Sequence, residues 1–249
     1  MIPTLLFKDV GLVKGKGFDS WRRVGAALPA IKVYNLREVD ELVFLDISAT
    51  LEDRRPDFAS IDEYADDCFM PLAVGGGIRA AEDVRKLLQV GADKIVLNTG
   101  AVRAPEIIRA VAKTFGSQCV IVSIDARRRP DGSYEVYTHS GTKATGLDPV
   151  THAKRAEQMG AGEILLTSIE RDGTMSGYDL ELIKLICGSV SIPVIASGGA
   201  GSMQDFVDAV TIGGASAVAA AAIFHFTQTT PLEVKKYMKQ AGISVRMPQ

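Results

Sequence analysis

VGGGIRAAEDVRKLLQVGADKIVLNTGAV, residues 74–102, and SGGAGSMQDFVDAVTIGGASAVAAAAIF, residues 197–224, follow one plan. Each begins with a glycine cluster at the end of an apolar run. An amphipathic stretch follows, then a glycine, then a second apolar run. Sixteen positions separate Gly75 from Gly91 and Gly198 from Gly214. An equal interval between equivalent punctuation marks predicts a duplicated half. LVFLD, residues 42–46, matches ILLTS, residues 164–168, in the same sense.

Extending this rhythm along the chain gives eight short runs rich in Val, Ile and Leu, at residues 4–7, 42–46, 71–74, 94–98, 119–125, 163–167, 193–197 and 217–221. Their hydrophobicity is continuous rather than alternating, so both faces of each predicted strand are covered, as in a parallel sheet wrapped by helices. The intervening segments have helical spacing and end on Gly91, Gly116, Gly160 and Gly214. Eight strand–helix units in 249 residues predict an α/β protein, one (β/α)8 barrel spanning residues 1–249. Residues 127–145 break the rhythm with Pro130-Asp131-Gly132 and an alternating run, which predicts a small hairpin inserted after the fifth strand.

Composition narrows the function. With 28 basic and 30 acidic residues the formal charge is −2, so no basic surplus favours nucleic acid. The longest apolar run, residues 217–224, is far shorter than the roughly 20 residues of a membrane-spanning helix. The N-terminus lacks the features of a secretory signal, and Cys68, Cys119 and Cys187 form no CxxC or Cys/His pattern. We expect a soluble cytoplasmic protein with reduced core thiols, bound to neither membrane nor nucleic acid. His139, His152 and His225 are scattered, and the glycines fit neither the dinucleotide nor the Walker spacing, so neither metal nor cofactor is expected.

Barrel chemistry collects where strands end. Gly75-Gly76-Gly77 closes the third strand and Gly198-Gly199-Ala200-Gly201 the seventh, and such amides approach phosphate closely. Two related clusters suit an elongated bisphosphorylated ligand. Between them stand Asp46, Asp125 and Asp172. A carboxyl at an apolar strand end is suited to general acid or base work, and Asp125 is the first choice. Lys8 and Lys14 flank the first loop, where a cation meets phosphate.

The segments DELVFLDISAT, PLAVGGGIR, GADKIVLNTGAV, YEVYTHSG, GAGEILLTSIERDGTMSGYDLELI and IPVIASGGAGS together resemble the cyclase subunit family of imidazole glycerol phosphate synthase, over nearly the whole chain. The resemblance implies ammonia released by a glutaminase partner, carried through the barrel to a bisphosphorylated substrate at the far mouth. It implies that Asp125 and Asp172 are catalytic, that Gly77, Asn98 and Thr99 hold one phosphate, and that Gly173, Gly199 and Ala221 hold the other. Glu41, Lys94 and Glu163 match charged residues gating the ammonia entrance, and Asp93 matches a docking residue. Three unbalanced charges there predict an incompletely sealed pore.

One position departs from the family. Leu6 stands where a second catalytic aspartate belongs. Leucine cannot ionise, and losing a general acid or base costs about 10² to 10⁴ in rate. The apolar Leu5-Leu6-Phe7 run beside intact glycine loops resembles a paralogous branch associated with glycosyl amidation. That branch is thought to act with a glutaminase-type amidotransferase subunit, as a heterodimer, and a sugar amidotransferase, in acetamidino-sugar synthesis for surface polysaccharides. The histidine-pathway cyclase and an inactive scaffold activating a glutaminase are the alternatives.

Overall fold

A computed structural model describes residues 1–247. Its twelve strands are β1 (Ile2–Lys8), β2 (Gly11–Lys16), β3 (Asp19–Gly25), β4 (Leu42–Asp46), β5 (Leu72–Gly75), β6 (Lys94–Leu97), β7 (Val120–Arg128), β8 (Tyr134–Thr138), β9 (Lys143–Ala144), β10 (Glu163–Ser168), β11 (Val194–Ser197) and β12 (Ala217–Ala220). The ten α-helices are α1 (Ala27–Leu36), α2 (Phe58–Asp66), α3 (Ala81–Gln89), α4 (Thr99–Arg103), α5 (Glu106–Phe115), α6 (Pro149–Gln158), α7 (Leu180–Cys187), α8 (Met203–Thr211), α9 (Ala222–Phe226) and α10 (Pro231–Gln240).

Eight of the strands pair in parallel in the order β1-β4-β5-β6-β7-β10-β11-β12, and β12 returns to β1, closing a (β/α)8 barrel. All eight predicted runs fall on these strands. Their two faces feed two cores. The outer face, with residues such as Leu5, Phe44, Ile95 and Ile124, meets helix residues including Ile31, Val84 and Phe206. The inner face supplies Ile2, Val43, Ala73, Val96, Ile121, Leu165, Ile195 and Ala219, one side chain from each barrel strand. Double-sided burial explains the continuous hydrophobicity of the strand sequences.

The predicted hairpin is present: β8 pairs antiparallel with the extended end of β7, and β9 with β8. A second hairpin follows the first strand, where β1, β2 and β3 pair antiparallel. Its sequence, GLVKGKGFDSWRRVG, turns through Gly17 and Phe18 in left-handed conformations, with φ of +59° and +62°. Helix starts use local carboxylates: Asp57, Asp148 and Asp179 each accept a backbone N–H from the first turn. The three cysteines are free and half-buried, so they sit at the edge of the core rather than within it. Among the described residues no helix is long and apolar enough to cross a membrane, and no group of three His, Cys, Asp or Glu side chains is placed to hold a metal.

Candidate functional site

The C-terminal strand ends surround a bowl enclosing about 1130 Å³, part of it open to solvent. Leu6, Asp125, Asp172, Gly77, Asn98, Thr99, Gly173, Gly199 and Ala221 all line it. The floor residues Glu41, Lys94 and Glu163, and the rim residue Asp93, lie at the other ends of the strands.

Asp125 is buried, as are Asp172 and Asp46. It accepts from Asn98 Nδ2 at 3.1 Å and from Ser123 Oγ at 3.2 Å. Asn98 also donates to the carbonyls of Ser123 and Tyr137, so its amide is fixed. Burial pushes the Asp125 pKa up to about 7; the Ser123 hydroxyl opposes this and the charge of Asp172 adds to it. Near neutral pH the group therefore exchanges a proton readily, as an acid–base catalyst must.

Asp172 pairs with Lys14, whose Nζ donates at 2.5 Å from a side chain only 2% exposed. Lys14 reaches the bowl from β2, whereas Lys8 does not line it. The same hairpin adds Phe18 and Trp21 to the lining. The sequence reading singles out neither Phe18 nor Trp21; the alternation around Gly15 and Gly17 is the signal that could have found their hairpin. Asp46 is committed elsewhere. Its Oδ1 accepts from Ser48 N, Ser48 Oγ and Ala49 N, and its Oδ2 meets Arg54 at 3.2 Å, so it builds the loop after β4.

The two glycine cradles are held alike. Asp83 Oδ2 accepts from the amides of Arg79 and Ala80, and Asp205 Oδ2 from those of Gly201 and Ser202, fixing each turn after its glycines. The short helices α4 and α9 begin beside Asn98 and Ala221, so each cradle combines a glycine turn with helix-terminal amides. Gly77 has φ +70°, and a Cβ there would stand 2.6 Å from the Arg54 carbonyl oxygen; Gly199 has φ +118°, and its Cβ would strike the Gly177 carbonyl. A side chain at either position would therefore collide with the backbone of a neighbouring loop as well as fill the cradle.

At the floor Lys94 donates to Glu41 Oε2 and Glu163 Oε1, both at 2.7 Å. Glu41 Oε1 is buried with no partner, and burial raises the Glu41 pKa even though Lys94 pulls it down. The expected open pore is corrected too. Along β6 the inward column runs Lys94, Val96, Asn98, and along β10 it runs Glu163, Leu165, Thr167; one apolar residue separates floor from bowl on each. The eight inner-core side chains fill that level. Asp93 is exposed at the rim, its Oδ2 accepting from Leu72 N at 2.8 Å.

A closed parallel barrel with a bowl at its C-terminal strand ends, walled by a raised-pKa aspartate and two glycine cradles, defines a (β/α)8 protein of the enzyme-bearing kind. A family model described as histidine biosynthesis protein matches residues 1–230, and the chain belongs to that family. The family includes isomerase and cyclase barrels, which fits an enzyme role.

Proposed function

We propose that this protein is an ammonia-receiving barrel of the cyclase type that acts in sugar amidation rather than in ordinary ring closure. One observation carries the reading. In the eight-strand ring β1 stands opposite β7, so Leu6, 8% exposed, faces Asp125 across the bowl. A two-carboxylate mechanism needs an acid and a base on either side of the reacting group; across this axis a carboxyl, Asp125, faces a hydrocarbon, and Asp172 is held by Lys14. The paired cradles support a phosphorylated small-molecule ligand.

The floor supports a partner. A buried carboxylate oxygen without a hydrogen-bond donor is costly unless something supplies one. In this reading a glutaminase-type subunit covers the Glu41–Lys94–Glu163 ring, with Asp93 in an ion pair at the rim, and ammonia passes when the single apolar layer above parts. A sugar amidotransferase receives the product or the ammonia. Co-expression of the full chain with a glutaminase-type subunit is expected to give a 1:1 complex that hydrolyses glutamine faster than the subunit alone. Asp93→Lys should weaken it through charge reversal. Absence of any complex overturns the reading.

A further inference from the structure

Helix α1 is apolar on two sides. Its inward stripe, Ala27, Ile31 and Tyr34, packs on the barrel. A second stripe, Ala26, Pro29, Val33 and Leu36, lies on the opposite side, and all four residues are exposed. Lys32 is the only charged residue in the helix. A helix that is hydrophobic all round is ordinarily covered on both sides, and the spacing of the outward stripe, three, four and three residues, is that of a seam for a partner helix.

Phe69 extends the stripe at its lower end. It lies in the loop after α2, and Asn35 fixes that loop: the Asn35 amide donates to the Asp67 carbonyl at 2.5 Å, and its oxygen accepts from Phe69 N at 3.0 Å. Leu36 is 86% exposed, Phe69 85% and Val33 41%. Held by these bonds, the side chains form one prepared apolar patch rather than scattered surface residues. The patch also matches itself. Laid antiparallel about a two-fold axis, Leu36 of one protomer opposes Ala26 of its partner, and Val33 opposes Pro29, large against small. Lys32 and Asp67 border the stripe 3.2 Å apart, so opposite charges cancel there and no like-charge repulsion keeps two copies apart.

We propose that α1 and Phe69 are the interface of a homodimer, two barrels joined flank to flank through antiparallel α1 helices. None of the five apolar residues of the patch lines the bowl. Pairing through this flank therefore leaves both bowls open and does not depend on which reaction proceeds in them.

Sedimentation equilibrium of the full chain over a dilution series tests it. The wild type is expected to populate a species of twice the chain mass, dissociating in the micromolar range that suits a small apolar interface. Leu36→Lys and Phe69→Ser, both at exposed positions, should each raise the dissociation constant at least about 10-fold, the effect of losing a central anchor, while the thermal melting of dilute protein is unchanged. Adding Ala26→Glu to Leu36→Lys should restore the dimer, because the two positions face each other across the axis and each new charge suits its own helix end. A wild type that stays monomeric throughout, its stripe left to some other protein, overturns the proposal. A dimer indifferent to both single changes overturns it as well. Failure of the charge pair to restore association overturns the antiparallel pairing.

Discussion

Lys14 and Asp172 lie 158 positions apart in sequence, yet Lys14 Nζ donates to Asp172 Oδ2 at 2.5 Å inside the bowl. The ion pair fastens the β2–β3 hairpin to the loop after β10. The backbone repeats the connection, with Gly17 N donating to the Asp172 carbonyl at 2.8 Å. On the outer side Arg22 lies over the Phe226 ring, 3.8 Å from its centroid, tying the hairpin to α9. One carboxylate thereby sets both the local charge of the site and the position of the strap carrying Phe18 and Trp21.

Breaking that pair from one side should be expensive. Lys14→Met leaves Asp172 without its buried partner, and a loss of about 3–5 kcal/mol is expected in urea unfolding. Lys14→Met combined with Asp172→Asn should recover a substantial part. A double-mutant cycle with no coupling between the two would contradict the fastening.

Asp125 gives the protein a pH signature. Its folded pKa of about 7 lies above the unfolded value of 3.8, so the folded state holds the extra proton and the advantage is lost as pH rises from about 4 through 7. Above pH 7 the ionised group costs on the order of 4 kcal/mol. Asp125→Asn should therefore be more stable than wild type at pH 8, with the gain disappearing near pH 4, while any acid–base activity is lost. A wild-type minus variant difference that is flat with pH would contradict the burial of this group.

Much of the barrel is legible in the sequence because double-sided burial imposes continuous Val, Ile and Leu runs, and because helix-ending glycines punctuate them. The cradles are legible through their internal repeat. Lys14 is legible only as a candidate cation beside the first loop: its burial depends on a partner 158 positions away, and no local pattern encodes that. The unbalanced floor misled for a similar reason. Counting charges at Glu41, Lys94 and Glu163 says nothing of the apolar layer above them, whose members Val43, Val96 and Leu165 look like ordinary strand residues until closure brings them together.

The cradle glycines carry a prediction of their own. Gly199→Ala places a Cβ against the Gly177 carbonyl at a φ of +118°. Lower thermal stability, by the equivalent of about 1–3 kcal/mol, is expected together with weaker binding of sulfate or phosphate. A variant that melts like wild type while losing only the anion would show that the turn is looser than described.

The central claim, that Leu6 across from Asp125 has taken this barrel out of ordinary cyclisation, is tested most directly by one rate. The purified protein, supplied with ammonium salt and the bisphosphorylated histidine-pathway intermediate, is compared with a homologue carrying both aspartates. With one proton-transfer group missing, turnover should be at least about 10²-fold slower. Cyclisation at the homologue's rate would contradict the account and return the protein to histidine biosynthesis.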